Sequence, residues 1–301
     1  MRDPPAPVAA EAAAPPPAPS PLSAADGESK TLAEAPPPEP DWLNLHRAEI
    51  RARYDPSRYD WPALVANILH TPEWPVNPPI HRLHDVASLP DAPPRYIKLA
   101  HAYRHAGWKM PRRWADAMRP GEERRAFKAT RTAPEHLAFL DAYRAFVREE
   151  VAPICGDPDG VVFQCPPTLR VAMPSRAPTI QPHRDSDYPR HQPSEINFWV
   201  PVGDVWGNNA LWLESNPGAG DFAPREMRLG EMLRFDGYNR RHLTRPNDTG
   251  HTRVSFDFRV VPASLYREYV SPRGRGRDTG KIGDYATEAT GPVKLRDPTP
   301  A

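Results

Sequence analysis

The residues best suited to chemistry lie in the stretch 181–188, Gln-Pro-His-Arg-Asp-Ser-Asp-Tyr. At its centre is the pair His183-x-Asp185. In an extended chain, residues two apart point to the same side, so this imidazole and this carboxylate can converge on one point. Together they suit a divalent first-row metal ion, and one further His would leave adjacent coordination positions open for other ligands. Because such a pair also occurs among ordinary surface residues, the prediction depends on the residues downstream.

Three downstream histidines are candidates for the third metal ligand: His191, His242 and His251. His242 lies between two predicted strands, so it can approach the metal from across a barrel. His251 is only two residues before Arg253, which would crowd a metal ligand and an anion-binding residue onto one strand. His191 lies in the loop after the first pair, where it can contact the ligands or a substrate. We therefore favour His242.

A second chemical feature is the polar side of the strand predicted over Thr252–Val261. One side of this strand is apolar, with Val254, Phe256, Phe258 and Val260, and the other is polar, with Arg253, Ser255, Asp257 and Arg259. A buried guanidinium needs an anion, and Arg253 beside the Ser255 hydroxyl would hold the distal carboxylate of a dicarboxylate such as 2-oxoglutarate. A structural ion pair between Arg253 and Asp257 or another acid explains the same pattern equally well.

The composition favours a cytoplasmic protein without a nucleic-acid or membrane partner. The formal net charge is +1, which gives no reason to expect nucleic acid or an acidic membrane as a partner. No apolar run approaches the roughly 18 residues of a membrane span, and the amino terminus has no continuous apolar core typical of a secretory signal. Cys155 and Cys165 are the only cysteines, and we expect both to be free buried thiols.

Two regions differ sharply in composition. Residues 1–40 are rich in Pro and Ala and predict a disordered, partly polyproline-II tail, because they cannot bury enough side chain to offset the entropy of ordering. Residues 41–301 predict one domain, with helices first and a barrel at about 160–262. The predicted helices are Trp42–Tyr54, Trp61–His70, Tyr96–Ala106 and Glu135–Val151. The last has a core stripe of Leu137, Leu140, Tyr143, Phe146 and Val147.

After Gly156 the apolar period changes to two, which indicates strands. The predicted strands are Thr168–Ala172, Thr179–His183, Glu195–Val202, Leu211–Glu214, Met232–Asp236 and Thr252–Val261. Short strands separated by turns such as Asn216-Pro217-Gly218 are typical of a sandwich or small barrel. The fold class is therefore mainly β with flanking helices, in the form of a double-stranded β-helix, a jelly-roll or cupin-like barrel.

Taken in order, His183-x-Asp185, His242 and Arg253-x-Ser255 resemble the pattern of iron(II)/2-oxoglutarate-dependent oxygenases. More narrowly, the segments His-x-Asp-x-Asp-Tyr, Glu-Ile-Asn-Phe-Trp-Val-Pro and Arg-Val-Ser-Phe-Asp-Phe-Arg resemble a phytanoyl-CoA-dioxygenase-like branch. Members of this branch occur in streptomycin-type antibiotic gene clusters. The resemblance covers about residues 165–262, and this chain departs from the simplest pattern at Arg184 and His191.

The resemblance implies an enzyme that holds iron(II) on His183, Asp185 and His242, with 2-oxoglutarate as co-substrate on Arg253 and Ser255. Gln181 and Asn197 are candidates for hydrogen bonds to the co-substrate. Candidates for the substrate wall are Asp187, Tyr188, Trp199, Trp212 and Glu214. Aromatic and acidic groups suit a small polar metabolite such as an amino sugar or amino-acid derivative, and hydroxylation is the favoured outcome.

Two other classes of function remain open. One is a metal-dependent isomerase or epimerase without redox chemistry, which would need the histidines but no dicarboxylate anchor. The other is a barrel that has lost catalysis and only binds, with the Pro-rich tail recruiting a partner. The patterns make no prediction of oligomeric state.

Overall fold

The computed structural model describes residues 47–69, 79–87, 133–188, 191, 193–266, 284–288 and 294–295. The predicted tail 1–40 and the predicted helix Tyr96–Ala106 lie outside these residues. In the part of the chain that is described, no helix is both long and apolar enough to cross a membrane.

Four α-helices and eleven strands make up the described fold. The helices are α1 (Trp61–Leu69), α2 (Leu83–Ala87), α3 (Pro134–Phe146) and α4 (Ala152–Cys155). A 3-10 turn, Ile80–Arg82, precedes α2, and a π-helical turn, Val147–Val151, joins α3 to α4. The strands are β1 (Ile50–Arg53), β2 (Val161–Cys165), β3 (Thr168–Ala172), β4 (Ile196–Pro201), β5 (Leu211–Leu213), β6 (Ala223–Arg225), β7 (Glu231–Phe235), β8 (His242–Leu243), β9 (Arg253–Pro262), β10 (Asp284–Glu288) and β11 (Lys294–Leu295).

These strands form two antiparallel sheets. The large sheet has the order β1-β7-β4-β9-β2-β10-β11, with β3 also paired to β9, and the small sheet has the order β6-β5-β8. Strand β9 is the longest and pairs with β2, β3 and β4. The fold is mainly antiparallel β with few helices, and the predicted jelly-roll class is confirmed.

The larger hydrophobic core lies between the helices and the large sheet. Every second residue of β4 and β9 enters it: Ile196, Phe198, Val200, Val254, Phe256, Phe258 and Val260. The ring centroids of Trp61 on α1 and Phe256 on β9 are 4.9 Å apart. This period-two division of the two strands is as predicted, and it turns their polar residues away from the helices.

A second core lies between the two sheets. It contains Trp199, Val205, Ala210, Leu211, Leu213, Met227, Leu233 and Phe235. Since these residues come from strands of both sheets, the sheets pack face to face. The polar residues of β4 and β9 therefore point into the space between the sheets.

Helix α3 agrees with the helix predicted over Glu135–Val151. It begins at Pro134, where a missing backbone N–H costs nothing, and the helical segment ends at Gly156, which has φ 69°. Leu137 is 47 % exposed, so its place in the core stripe was predicted wrongly, and Phe139 is buried instead.

Cys155 and Cys165 are free and buried, as predicted, and burial raises the pKa of the Cys155 thiol to about 12.

Two predicted elements are wrong. Residues Ile50–Arg53, assigned to the end of a helix, form β1, because they pair with β7 along the edge of the large sheet. Residues Thr179–His183, assigned to a strand, make only one isolated bridge, between His183 and His242. Proline at 178 and 182 removes backbone donors that a strand would use. Asp185 then begins a 3-10 turn, Asp185–Asp187.

Candidate metal centre

The side chains of His183, Asp185 and His242 converge between the sheets. The distance to Asp185 Oδ1 is 3.8 Å from His183 Nε2 and 3.9 Å from His242 Nε2. The two imidazole centroids are 4.3 Å apart, and one donor atom from each residue lies within 4.8 Å of the others. Two backbone hydrogen bonds hold the histidines side by side, from His183 N to His242 O and from His242 N to His183 O.

Hydrogen bonds leave both histidines ready to bind a metal through Nε2. His183 Nδ1 lies 2.9 Å from the Gln181 carbonyl oxygen, and His242 Nδ1 lies 3.2 Å from the Arg240 carbonyl oxygen. A carbonyl can only accept, so each Nδ1 carries a hydrogen and Nε2 is the ring nitrogen left to face a metal. Burial lowers the pKa of His242 to about 4 against the opposing effect of Asp185, which keeps this imidazole neutral.

The Asp185 carboxylate is ionised and firmly oriented. It is 1 % exposed and accepts hydrogen bonds from Arg259 Nε on Oδ2 (3.0 Å), Arg259 Nη2 on Oδ1 (3.2 Å) and Asn197 Nδ2 on Oδ2 (2.7 Å). Burial alone would raise its pKa, but the charge and hydrogen bonds of Arg259 hold the pKa well below the ordinary value for Asp. This combination of two imidazoles and one carboxylate is a typical ligand set for a divalent metal.

Gly237 is needed for this arrangement. Its carbonyl accepts a hydrogen bond of 2.8 Å from Asp185 N. A Cβ on Gly237 would lie 2.5 Å from the amide of Asn197, so any side chain here would displace the residue that contacts Asp185.

Arg253 is buried without a hydrogen-bonded anion among the described residues. It is 3 % exposed, and its Nε has no hydrogen-bond partner among the described residues. The Ser255 hydroxyl, two residues along the same side of β9, is likewise buried and unpartnered within the described chain. Burial lowers the pKa of Arg253 to about 10, so it still carries a positive charge at neutral pH.

The charge of Asp257 raises the pKa of Arg253 against the effect of burial, but the Asp257 carboxylate makes its hydrogen bonds with other residues. Asp257 accepts hydrogen bonds from Arg170 Nε and Nη2 and from Arg259 Nη1. The carboxylate is thereby shared by two other arginines, and the described contacts include no ion pair between it and Arg253. Arg253 lines one cavity together with His183 and His242. Its positive charge is therefore available to an anion that enters this cavity.

The two residues predicted to assist the co-substrate have other contacts. Asn197 lines the cavity, but its amide donates to Asp185. The side chain of Gln181 is exposed, and it is its backbone carbonyl that orients His183.

Some of the residues predicted for the substrate wall lie at or near the cavity, and others do not. Trp199 lines the cavity, and Tyr188, 54 % exposed, places its ring edge-on to His183 at 5.5 Å. Asp187, partly exposed, pairs with Arg184 Nε at 2.8 Å.

For Trp212 and Glu214 the structure corrects the prediction. Leu211 lines the cavity, so Trp212, the next residue on β5, points to the opposite side, where Arg245 stacks on its ring at 4.2 Å. Glu214 is fully buried, and its carboxylate accepts backbone N–H groups from Gly218, Gly220 and Arg241. Neither side chain is available to a substrate in this cavity.

The competing histidines differ in their surroundings. His191 is buried against Glu195, with its Nδ1 3.9 Å from Asp185 Oδ2. Donor atoms of His191, Glu195 and Asp185 lie within 4.8 Å of one another, so these residues form a second group that could hold a metal and that shares Asp185 with the first. His251 is exposed and packs edge-on to Trp206 at 5.0 Å.

Three charged residues in the cavity wall were missed: Arg170, Asp257 and Arg259. The signal was present for two of them, because Asp257 and Arg259 continue the polar side of β9 that begins with Arg253. Arg170 lies opposite Ser255 in the pairing of β3 with β9, a register that a single sequence does not reveal.

Comparison with known proteins gives one close sequence relative. No protein-family model matches the chain. Over 143 residues the chain is 37 % identical to the streptomycin biosynthesis protein StrG of Streptomyces griseus, a match that covers 45 % of this chain and 66 % of StrG. The chain thus spans just under two thirds of that relative. The predicted likeness to proteins of streptomycin-type clusters is confirmed.

Solved structures give weaker likenesses. A dioxygenase for auxin oxidation from rice is 14 % identical over 75 % of this chain and 82 % of its own, with a TM-score of 0.39. AviO1 from Streptomyces viridochromogenes is 23 % identical over 45 % of this chain and 64 % of its own, with a TM-score of 0.33. The α-ketoglutarate-dependent epimerase SnoN from nogalamycin biosynthesis is 17 % identical over 48 % of this chain and 68 % of its own, with a TM-score of 0.33. These scores are too low to support an argument about function.

Proposed function

We propose that this protein is an iron(II)- and 2-oxoglutarate-dependent oxygenase. The observation that carries the proposal is a buried, unpaired Arg253 in the same cavity as His183 and His242. A metal site alone has no use for a desolvated guanidinium without a partner, which is costly to bury. A co-substrate with one end on the metal and a carboxylate at the other end accounts for both features.

The charges of the cavity support an anionic co-substrate. Arg170 and Arg259 are matched by Asp257 and Asp185, with which they form hydrogen-bonded ion pairs. Among the described residues that line the cavity, Arg253 therefore adds a positive charge without an ion pair of its own, and a metal ion would add two more. A dicarboxylate dianion would balance most of this charge within the cavity.

Each residue has a separate task in this proposal. His183, Asp185 and His242 would hold the metal, and Arg253 with Ser255 would bind the distal carboxylate of 2-oxoglutarate. When bound, iron(II) and 2-oxoglutarate supply dioxygen activation for oxidation of a substrate. Trp199 closes the wall near Arg253, with its ring 5.8 Å from the guanidinium carbon, and helps to exclude water from the cavity.

The proposed substrate is a small polar metabolite, such as an amino sugar or amino-acid derivative, and the proposed outcome is hydroxylation. The relationship to a streptomycin biosynthesis protein supports this class. Tyr188 and Asp187 are exposed beside His183 and are the polar contacts that such a substrate would meet first.

Formation of succinate tests the proposal. Purified protein supplied with iron(II), 2-oxoglutarate and air should form succinate, faster with a panel of aminoglycoside precursors and amino acids. Asp185→Ala should abolish the reaction, while Asp141→Ala on the exposed side of α3 should leave it unchanged. Isomerisation of a substrate without 2-oxoglutarate would favour the isomerase instead. Absence of both reactions, with no metal bound, would favour a binding barrel.

A further inference from the structure

Arg259 contacts Asp185 in a geometry that does more than neutralise charge. Its Nε and Nη2 donate to the two different oxygens of the carboxylate, Oδ2 and Oδ1. Such a two-point contact fixes the plane of the carboxylate as well as its position. Arg259 lies on the large sheet, whereas Asp185 begins a turn, so the contact ties a less regular segment to the longest strand of the fold.

The two oxygens of Asp185 are left in different environments. Oδ2 accepts from both Arg259 Nε and Asn197 Nδ2, which occupy its lone pairs. Oδ1 is the oxygen nearest to His183 Nε2 and His242 Nε2. A metal between the imidazoles would therefore meet Oδ1 and find Oδ2 already engaged.

The guanidinium of Arg259 is itself held in place by further hydrogen bonds. Its third nitrogen, Nη1, donates to Asp257 Oδ2 at 3.0 Å and to Gln164 Oε1 at 3.3 Å. Asp257 is in turn bound by Arg170 from β3. With all three guanidinium nitrogens in use, Arg259 is restrained from turning away from Asp185.

We propose that Arg259 is a positioning residue that presents Asp185 to the metal through the single oxygen Oδ1. Single-oxygen binding keeps the other coordination positions free for a chelating co-substrate and a further ligand. The inference deepens the proposed function and rests on it, because it takes His183, Asp185 and His242 as the metal ligands.

Arg259→Lys tests the inference with cobalt(II), a metal probe that requires no turnover. Lysine keeps the positive charge but cannot contact both carboxylate oxygens in one plane. The variant therefore removes the two-point contact with little change in the electrostatic attraction to Asp185. Cobalt(II) affinity, measured by calorimetric titration, should fall about 10- to 100-fold, as expected when a residue that orients a metal ligand is lost. The visible spectrum of bound cobalt(II) should also change, because the carboxylate can rotate and bind through both oxygens.

Arg225→Lys is the matched control. Arg225 on β6 also makes a two-point contact with a carboxylate, through Nε and Nη2 to the two oxygens of Glu49, but it does not line the cavity. We expect its cobalt(II) affinity to remain within about threefold of the wild-type value, since the hydrogen bonds to Asp185 are unchanged. An equal loss in both variants would overturn the inference, because the effect would then not depend on contact with Asp185.

The remaining outcomes separate this inference from the proposed function. If the wild-type protein binds cobalt(II) no better than Asp185→Ala, the metal site itself is wrong. If the wild type binds well and Arg259→Lys has the same affinity and spectrum, only the positioning role fails. Should Arg259→Lys not fold, Arg259→Gln replaces it with the spectrum as the readout, and a wild-type spectrum again contradicts the inference.

Discussion

The two sides of β9 differ in what surrounds them. Towards the helices, Val254, Phe256, Phe258 and Val260 pack into the larger core. Towards the small sheet, Arg253, Ser255, Asp257 and Arg259 are equally buried, yet they are charged or polar. Arg259 donates hydrogen bonds to both Asp257 and Asp185. Arg253 Nε and Ser255 Oγ have no hydrogen-bond partner within the described chain.

The apolar side of β9 contributes to stability, and the polar side of the same strand is proposed to contribute to binding. Apolar residues gain free energy by leaving water, so the helix side contributes to folding. A buried arginine without an ion pair opposes folding, and the proposed function assigns Arg253 to binding of a ligand. Residues one position apart should therefore respond in opposite ways to substitution, and the following predictions test this contrast.

The largest effect on stability is expected from Phe256→Ala. Phe256 is fully buried and its ring contacts those of Trp61 and Phe139, at centroid distances of 4.9 and 5.7 Å. Its loss should lower the free energy of unfolding by about 3–5 kcal/mol, the usual cost of a large core cavity. Denaturant unfolding measures this, and cobalt(II) affinity of the folded protein should stay the same. An affinity loss as large as that of Asp185→Ala would show that the two sides are not independent.

Arg253→Met should have the opposite signature. Removal of an unpaired buried charge should raise the free energy of unfolding by about 1 kcal/mol. The affinity of the cobalt(II)-loaded protein for 2-oxoglutarate should fall at least about 100-fold, because the distal carboxylate loses its counter-charge. Calorimetry measures both binding steps, and cobalt(II) affinity without 2-oxoglutarate should not fall. A destabilised variant with normal 2-oxoglutarate affinity would assign Arg253 to structure.

Ser255→Ala sharpens the same contrast with a smaller change. The hydroxyl has no partner among the described residues, so its removal should alter the free energy of unfolding by less than about 0.5 kcal/mol. One hydrogen bond to a bound carboxylate would be lost, which predicts an affinity for 2-oxoglutarate about 5- to 20-fold lower. Equal affinity in variant and wild type would remove Ser255 from the co-substrate site.

Much of this contrast could be predicted from the alternation of residue types. The period of two in β4 and β9 was enough to assign their sides, because one side is apolar without interruption. The same alternation indicated Arg253 and Ser255 as a pair. The helix α3 was predictable for a similar reason, since its apolar spacing extends over several turns.

Other features depend on contacts that are distant in sequence. The role of Arg259 requires Asp185, which is 74 residues away, and no local pattern distinguishes Arg259 from Arg253 on the same side of the strand. Strand β1 was predicted as the end of the helix Trp42–Tyr54, but its conformation is decided by pairing with β7, which is distant in sequence. The pair His183-x-Asp185 was predicted in a strand, yet a bridge and a turn bring the two side chains together.

The central claim is that one cavity holds a metal on His183, Asp185 and His242 and a dicarboxylate on Arg253. Anaerobic titration of 2-oxoglutarate into the iron(II)-loaded protein tests it most directly, because chelation by the keto acid produces a visible charge-transfer band. The account predicts one equivalent of chelate in the wild type, none in His242→Ala and a much weaker affinity in Arg253→Met. A chelate that forms equally well in all three proteins, or in none of them, would contradict it.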